Sequence, residues 1–233
     1  MLPIHSRCWL CLQPLQLKQQ GICSYCLRLL PSNPCCCPRC GLPSGDPHQP
    51  CGRCLLKPPP WQILVFVTDY RPPLSTLIKR FKFQRTPALA TALARLLLLH
   101  WLKARREHYL HQPEGLHKPD VILSVPLQKK RCWQRGYNQS DLLARPLARW
   151  LGCEYHPAAL RRVRATSPQQ QLIARLRRRN LRGAFRCDEN LAGRHVALLD
   201  DVVTTGSTVA EIATLLQKQG VASLQIWCVC RTL

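Results

Sequence analysis

The chain has 233 residues, more than a common single domain, and one α/β domain of about 170 residues with a small appendage accounts for that length. Its 34 Lys and Arg against 12 Asp and Glu give a formal charge of +22, an excess that attracts polyanions by counterion release, so nucleic acid or phosphorylated ligands head the expected partners. The most apolar stretch, residues 88 to 102, is broken by Thr91, Arg95 and His100 and is shorter than the roughly 20 residues a membrane span needs, which argues against a transmembrane segment.

The opening MLPIHSRCWLCLQPL lacks the basic start, apolar run and small-residue cleavage site of a secretory signal, so the expected location is the cytoplasm. Fifteen cysteines in a reducing compartment point to metal ligation rather than to a disulfide framework. Ten of them precede residue 55, including four C-x-x-C pairs: Cys8 and Cys11, Cys23 and Cys26, Cys37 and Cys40, Cys51 and Cys54. Two such pairs supply the four thiolates of a tetrahedral structural zinc, giving two all-cysteine sites. The simplest pairing is sequential, and a cross-braced one, first pair with third and second with fourth, stays open. Disulfides or a redox pair are the alternatives, and Cys35 or Cys36 could replace Cys37. So short a segment hardly builds a core without metal. Lys57-Pro58-Pro59-Pro60 then forms a stiff link, which divides the chain into a zinc-finger module over 1–57 and a second domain over 58–233.

Beyond the link, WQILVFVTDY predicts a strand, PLSTLIKRFKF and PALATALARLLLLHWLKARREHYL have helical spacing, and DVILSVPL predicts a second strand. Gln139 to Leu151 reads as a helix. Leu160 to Phe185 is basic with little periodicity, and HVALLDD, STVAEIATLLQKQG and SLQIWCVCR form a closing β-α-β unit, with Cys228 and Cys230 as buried core thiols. Strands alternating with helices predict an α/β fold, a mostly parallel sheet with helices on both faces.

In VALLDDVVTTGST, residues 196 to 208, four apolar residues lead to Asp200 and Asp201 at a strand's carboxyl end, where α/β folds bind ligands. Thr204, Thr205, Gly206, Ser207 and Thr208 then turn into a helix whose N–H groups can receive a phosphate, with Gly206 permitting close approach. The two carboxylates suit ribose hydroxyls and a magnesium ion. A Walker B strand is less suitable because no G-x-x-x-x-G-K-[ST] loop accompanies it, and a receiver-type acidic pocket has no use for TTGST. The pattern resembles the phosphoribosyl-diphosphate (PRPP) signature of type I phosphoribosyltransferases. Lys129, Lys130, Arg131 and Arg135, after the strand Val121 to Ser124, fall where that superfamily places its diphosphate loop. The nine arginines between Arg161 and Arg186, including Arg164 and Arg177, would with Gln169 form a lid over the site. The plain alternative for that run is a solvated surface.

Taken together, the cysteine pairs, RGYNQ at 135 to 139, the series Arg164, Thr166, Gln169, Leu172 and Arg177 to Asn180 ending in GAF at 183 to 185, and the loop at 196 to 208 resemble the ComF family along nearly the whole chain. The resemblance implies a zinc-finger module joined to a type I phosphoribosyltransferase-like domain. It also implies work on external DNA, in transformation or nutrition, alongside proteins of the uptake machinery. Arg177-Arg178-Arg179 is more basic than the family pattern.

Two functions follow. As an enzyme, the chain would displace diphosphate from PRPP, transferring the pentosyl group to an acceptor by positioning and charge stabilisation, with Asp200 and Asp201 as the catalytic pair. No general base for an acceptor is evident, and too few residues follow LQIWCVC to build an acceptor-binding hood. As a binding protein, it would keep PRPP or nucleotide recognition and hold single-stranded DNA on Lys79, Arg80, Lys82 and Arg177 to Arg179, with Trp9, Trp133 and Tyr137 as stacking platforms. The missing hood and the basic loops favour DNA handling.

Overall fold

The computed structural model describes residues 6–16, 21–111, 116–164 and 181–233. Its centre is a five-stranded parallel sheet built from β1 (Ile63–Asp69), β2 (Val121–Ser124), β3 (Glu154–Tyr155), β6 (His195–Val203) and β7 (Ser223–Arg231), in the order β1-β7-β6-β2-β3. A separate antiparallel pair, β4 (Leu160–Arg162) and β5 (Phe185–Cys187), brackets the basic segment. All four residues of β2 and Val196 to Leu199 of β6 are buried, as strands covered on both faces must be.

Helices cover both faces. On one side α3 (Leu74–Phe83), α4 (Leu89–His111) and α6 (Gln139–Leu151) pack with Trp101, Trp227 and Phe81 in one apolar cluster. On the other side α7 (Ser207–Lys218) buries Val209, Ile212 and Leu216 against Leu198, Ile226 and Phe185. The alternation in sequence therefore yields the expected parallel α/β sheet. The α6 bounds coincide with those read from its spacing, because Asn138 caps its start and Gly152 ends it at φ +58°. No described helix is long and apolar enough to cross a membrane.

The topology selects one place for a ligand. From β2 the chain moves outward to β3, whereas from β6 it moves the other way to β7, so the carboxyl ends of β2 and β6 flank a topological switch point. Asp200 and Asp201 stand there.

The cysteine-rich segment, with short helices α1 (Ser24–Arg28) and α2 (Gly52–Leu56), does not hang from its proline link. Cys8, Leu15, Ile22 and Cys26 join the same apolar cluster as Leu93 and Leu97 of α4. Gly21, at φ +66°, sits so close to α4 that an added Cβ would lie 2.4 Å from the Ala92 Cβ. Asn33 meets the exposed edge of β1 with both ends of its amide, donating to the Val67 carbonyl at 3.0 Å and accepting from the Asp69 N–H at 3.2 Å. A segment too small for a core of its own thus shares that of its neighbour.

Candidate ribose-phosphate site and metal centres

The eight C-x-x-C thiols gather into two groups, Cys8, Cys11, Cys23 and Cys26 in one, Cys37, Cys40, Cys51 and Cys54 in the other, each with all sulfur atoms within 4.8 Å. The pairing is sequential, and Cys35 and Cys36 lie outside both groups. Tetrahedral zinc with Zn–S bonds of roughly 2.3 Å places its sulfur atoms about 3.8 Å apart. The Cys11–Cys23 and Cys40–Cys51 separations are both 3.7 Å, so the donors fit zinc in number, type and spacing. Backbone N–H groups of Leu10 and Cys23 point at the Cys8 sulfur, and that of Cys51 at the Cys37 sulfur, at 3.2 to 3.5 Å. Against the effect of burial, such bonds from Cys11, Cys23 and Leu10 bring the Cys8 thiol down to about 6. Cys228 and Cys230 are fully buried elsewhere, and burial pushes the Cys230 thiol up to about 12, as inert core thiols require.

At the carboxyl end of β6, Asp201 is buried and Asp200 half-buried. Burial, reinforced by the charge of Asp201, raises the Asp200 carboxyl to about 7. One Asp200 oxygen accepts from the Asp201 N–H at 2.8 Å and from the Ser140 hydroxyl at 3.3 Å. Lys82, from the last turn of α3, places its ammonium 2.9 Å from an Asp201 oxygen. After the strand, Thr204 and Thr205 are exposed and Gly206 takes φ +74° to start α7, with no side chain capping the helix. The Thr205 and Ser207 hydroxyls pair at 2.9 Å, and Thr208 follows Ser207 in the first turn.

The segment expected as a diphosphate loop is a short helix, α5 (Lys129–Arg135), ended by Gly136 at φ +81°. Arg131 is exposed on it, and the side chains of Lys129 and Lys130 lie outside the described atoms. Arg135 turns inward, donating to Gln139 at 2.9 Å and resting 5.3 Å over the Phe83 ring, near the charges of Asp200 and Asp201. RGYNQ is consequently a joint between α5, α6 and the sheet. The Tyr137 hydroxyl donates to the Phe81 carbonyl at 2.6 Å, and Asn138 donates to the Val125 carbonyl at 3.0 Å while its side-chain oxygen accepts the Ser140 N–H. Gln139 is buried, and its amide nitrogen has no hydrogen-bond partner among the described residues.

Arg164 donates to the Arg182 carbonyl at 2.9 Å, closing the base of the basic segment, and the Gly183 N–H donates to Glu211 of α7 at 2.7 Å. Thr166, Gln169, Leu172 and Arg177 to Asn180 lie outside the described residues.

Three sequence expectations change. Lys82 is not a surface cation, since it is held against Asp201 in the site. Arg80 lies 5.5 Å over the Trp9 ring, so neither offers an open stacking face there, and Tyr137 packs on Phe81 with ring centroids 5.7 Å apart. Trp133, 87% exposed, keeps its face free to solvent. Sequence reasoning missed Ser140 and Arg231. Arg231 carried a signal, a charged residue ending a mostly apolar strand that is buried along nearly its whole length.

A switch point bearing paired carboxylates, a threonine-rich turn and a helix start, joined to two four-cysteine groups, defines a phosphoribosyltransferase-type α/β protein with a cysteine-rich module able to hold zinc. The phosphoribosyl transferase domain family matches residues 138–233. DNA utilization protein YhgH of Escherichia coli O157:H7 is 56% identical over the full length of both chains. Competence protein F of Haemophilus influenzae is 42% identical over 95% of each chain, and competence protein ComFC of Bacillus subtilis is 26% identical over 80% of this chain and 73% of its own. The chain belongs to the ComF family of these proteins.

Proposed function

We propose that the chain binds PRPP or a nucleotide phosphate at the carboxyl end of β6 and serves the use of external DNA, holding single-stranded DNA on its basic surface. The observation that carries the ligand is Asp200 and Asp201 at the switch point, with the turn at Gly206 into α7 directly after them. In this reading Thr204 to Thr208 receive the 5′-phosphate, Asp200 and Asp201 face the ribose and hold a magnesium ion that neutralises phosphate charge, and Lys129, Lys130, Arg131 and Arg135 face the diphosphate. Arg164, Gln169 and Arg177 belong to the covering segment. Residues 1–57 act as a structural unit with two zinc ions, and 58–233 as the ligand domain. DNA is supported by the net charge of +22 and by the names of the relatives.

A second reading, transfer of the pentosyl group to an acceptor, is favoured by Arg135, whose half-buried guanidinium lies near the paired carboxylates where diphosphate charge would develop.

Calorimetric titration with PRPP and magnesium tests the ligand: wild type binds, and the double substitution Asp200→Asn with Asp201→Asn does not. No binding by wild type at millimolar PRPP overturns it. Release of diphosphate with an added acceptor separates enzyme from binding protein. DNA affinity that did not change between low and high salt would remove the DNA reading.

A further inference from the structure

The turn Cys37–Cys40 of the second cysteine group is docked on the sheet by three successive carbonyls. Pro38 accepts from the Leu64 N–H at 2.8 Å, Arg39 from the Trp61 indole at 2.6 Å, and Cys40 from the Arg231 Nε at 3.0 Å. Gly41, at φ +68°, permits this approach, because a Cβ there would lie 3.0 Å from Leu64 and 3.4 Å from the Arg231 Cγ.

Arg231 is itself 5% exposed and faces two ways. Its Nη1 donates to the Val203 carbonyl at 3.1 Å, to the Thr204 carbonyl and to the Thr232 carbonyl at 2.8 Å. Val203 ends β6 and Thr204 begins the threonine-rich turn. One planar guanidinium therefore fixes the spacing between a cysteine-site carbonyl and the two carbonyls that launch the phosphate loop. A lysine ammonium has three N–H donors on one nitrogen and so lacks the separate Nε and Nη1 that reach the Cys40 carbonyl on one side and the loop carbonyls on the other. The first cysteine group is placed differently: it packs on α4 through Gly21 and Ala92, and among the described residues none of its hydrogen bonds reaches Val203 to Thr208.

We infer that Arg231 is a positioning residue for the phosphate loop and that metal in the second cysteine site, not the first, holds the loop in shape through it. This rests on reading Thr204 to Thr208 as the phosphate loop. Loss of the second ion frees the Cys37–Cys40 turn, removes the Cys40 carbonyl from Arg231 and lets a buried guanidinium shift among the Val203, Thr204 and Thr232 acceptors.

The test uses the full chain with Cys11→Ser, Cys51→Ser and Arg231→Lys, reading zinc per chain, hydrogen exchange over residues 200 to 210, and PRPP affinity. Both cysteine variants keep one zinc, but only Cys51→Ser speeds exchange over that segment, by about tenfold or more. Arg231→Lys keeps both ions and speeds exchange equally, and the two loop-loosening variants weaken PRPP binding about tenfold. Equal exchange in the two cysteine variants, or unchanged exchange in Arg231→Lys, overturns the inference. If Cys51→Ser fails to fold, zinc is stripped from Cys11→Ser, which carries only the second-site ion: exchange over 200 to 210 that does not speed up on its removal overturns the metal half, and Arg231→Lys tests the arginine half. Absence of PRPP binding by wild type sinks the ligand reading while leaving the exchange comparison standing.

Discussion

Lys82 on α3 and Asp201 on β6 form an ion pair at 2.9 Å whose side chains are only 16% and 10% exposed. The ammonium neutralises one charge of an acidic pair that the fold otherwise crowds into the end of a buried strand. Removing one partner of a buried pair leaves the other charge uncompensated, which costs about 3 to 5 kcal/mol. Lys82→Met should therefore lower stability at pH 8 by an amount of that order, measured by urea denaturation, and lower PRPP affinity as well. A variant as stable as wild type would show that the pair contributes nothing.

Asp200 should work against stability. Its folded carboxyl is raised to about 7 by burial and by Asp201, above the ordinary carboxylate value, so the folded state binds more protons than the unfolded state in between. Stability from this group is thus present at low pH and declines as pH rises toward 7. Asp200→Asn should raise the melting temperature at pH 8, with a gain that shrinks toward pH 5, and abolish magnesium-dependent ligand binding. Thermal melts at the two pH values check the sign, and a gain larger at pH 5 would contradict it.

The joint made by RGYNQ should be measurable residue by residue. Tyr137→Phe removes the 2.6 Å bond to the Phe81 carbonyl and should cost about 1 kcal/mol. Asn138→Ala removes both the cap of α6 and the tie to Val125, and should cost about 1 to 2 kcal/mol. Denaturant midpoints give both values, and a smaller loss for Asn138→Ala than for Tyr137→Phe would argue against the double role.

Trp133 separates DNA contact from folding. It is 87% exposed, so Trp133→Ala should leave the melting temperature within a degree or two while weakening single-stranded DNA by about 1 to 3 kcal/mol per stacked base. Fluorescence anisotropy with a labelled oligonucleotide reads this directly. Lys79 and Arg131, exposed cations, should change the salt slope when neutralised, and Lys82 should not.

Much of the site was legible because it is local. Asp200, Asp201 and the turn at Gly206 lie within a few residues of one another, so strand, carboxylates and helix start are read from one stretch of sequence. The cysteine pairs are legible for the same reason, since a C-x-x-C turn points two thiolates at one metal. The short helix over Lys129–Arg135 was not legible, because a run of Lys and Arg with one Trp carries no apolar periodicity to separate helix from loop. Lys82 read as a surface cation because its charge says nothing of which strand end α3 approaches.

By itself the sequence determined the alternation of strands and helices, the two four-cysteine sets in outline and the placing of two carboxylates and a helix start at the end of β6, all consequences of spacing along the chain. Only the tertiary structure decided which cysteine pairs join, that Lys82 faces Asp201, and that Arg231 spans the Cys40 carbonyl and the turn at Val203 and Thr204. Those contacts join segments far apart in sequence, and packing of the helices and the cysteine-rich segment on one sheet brings them together.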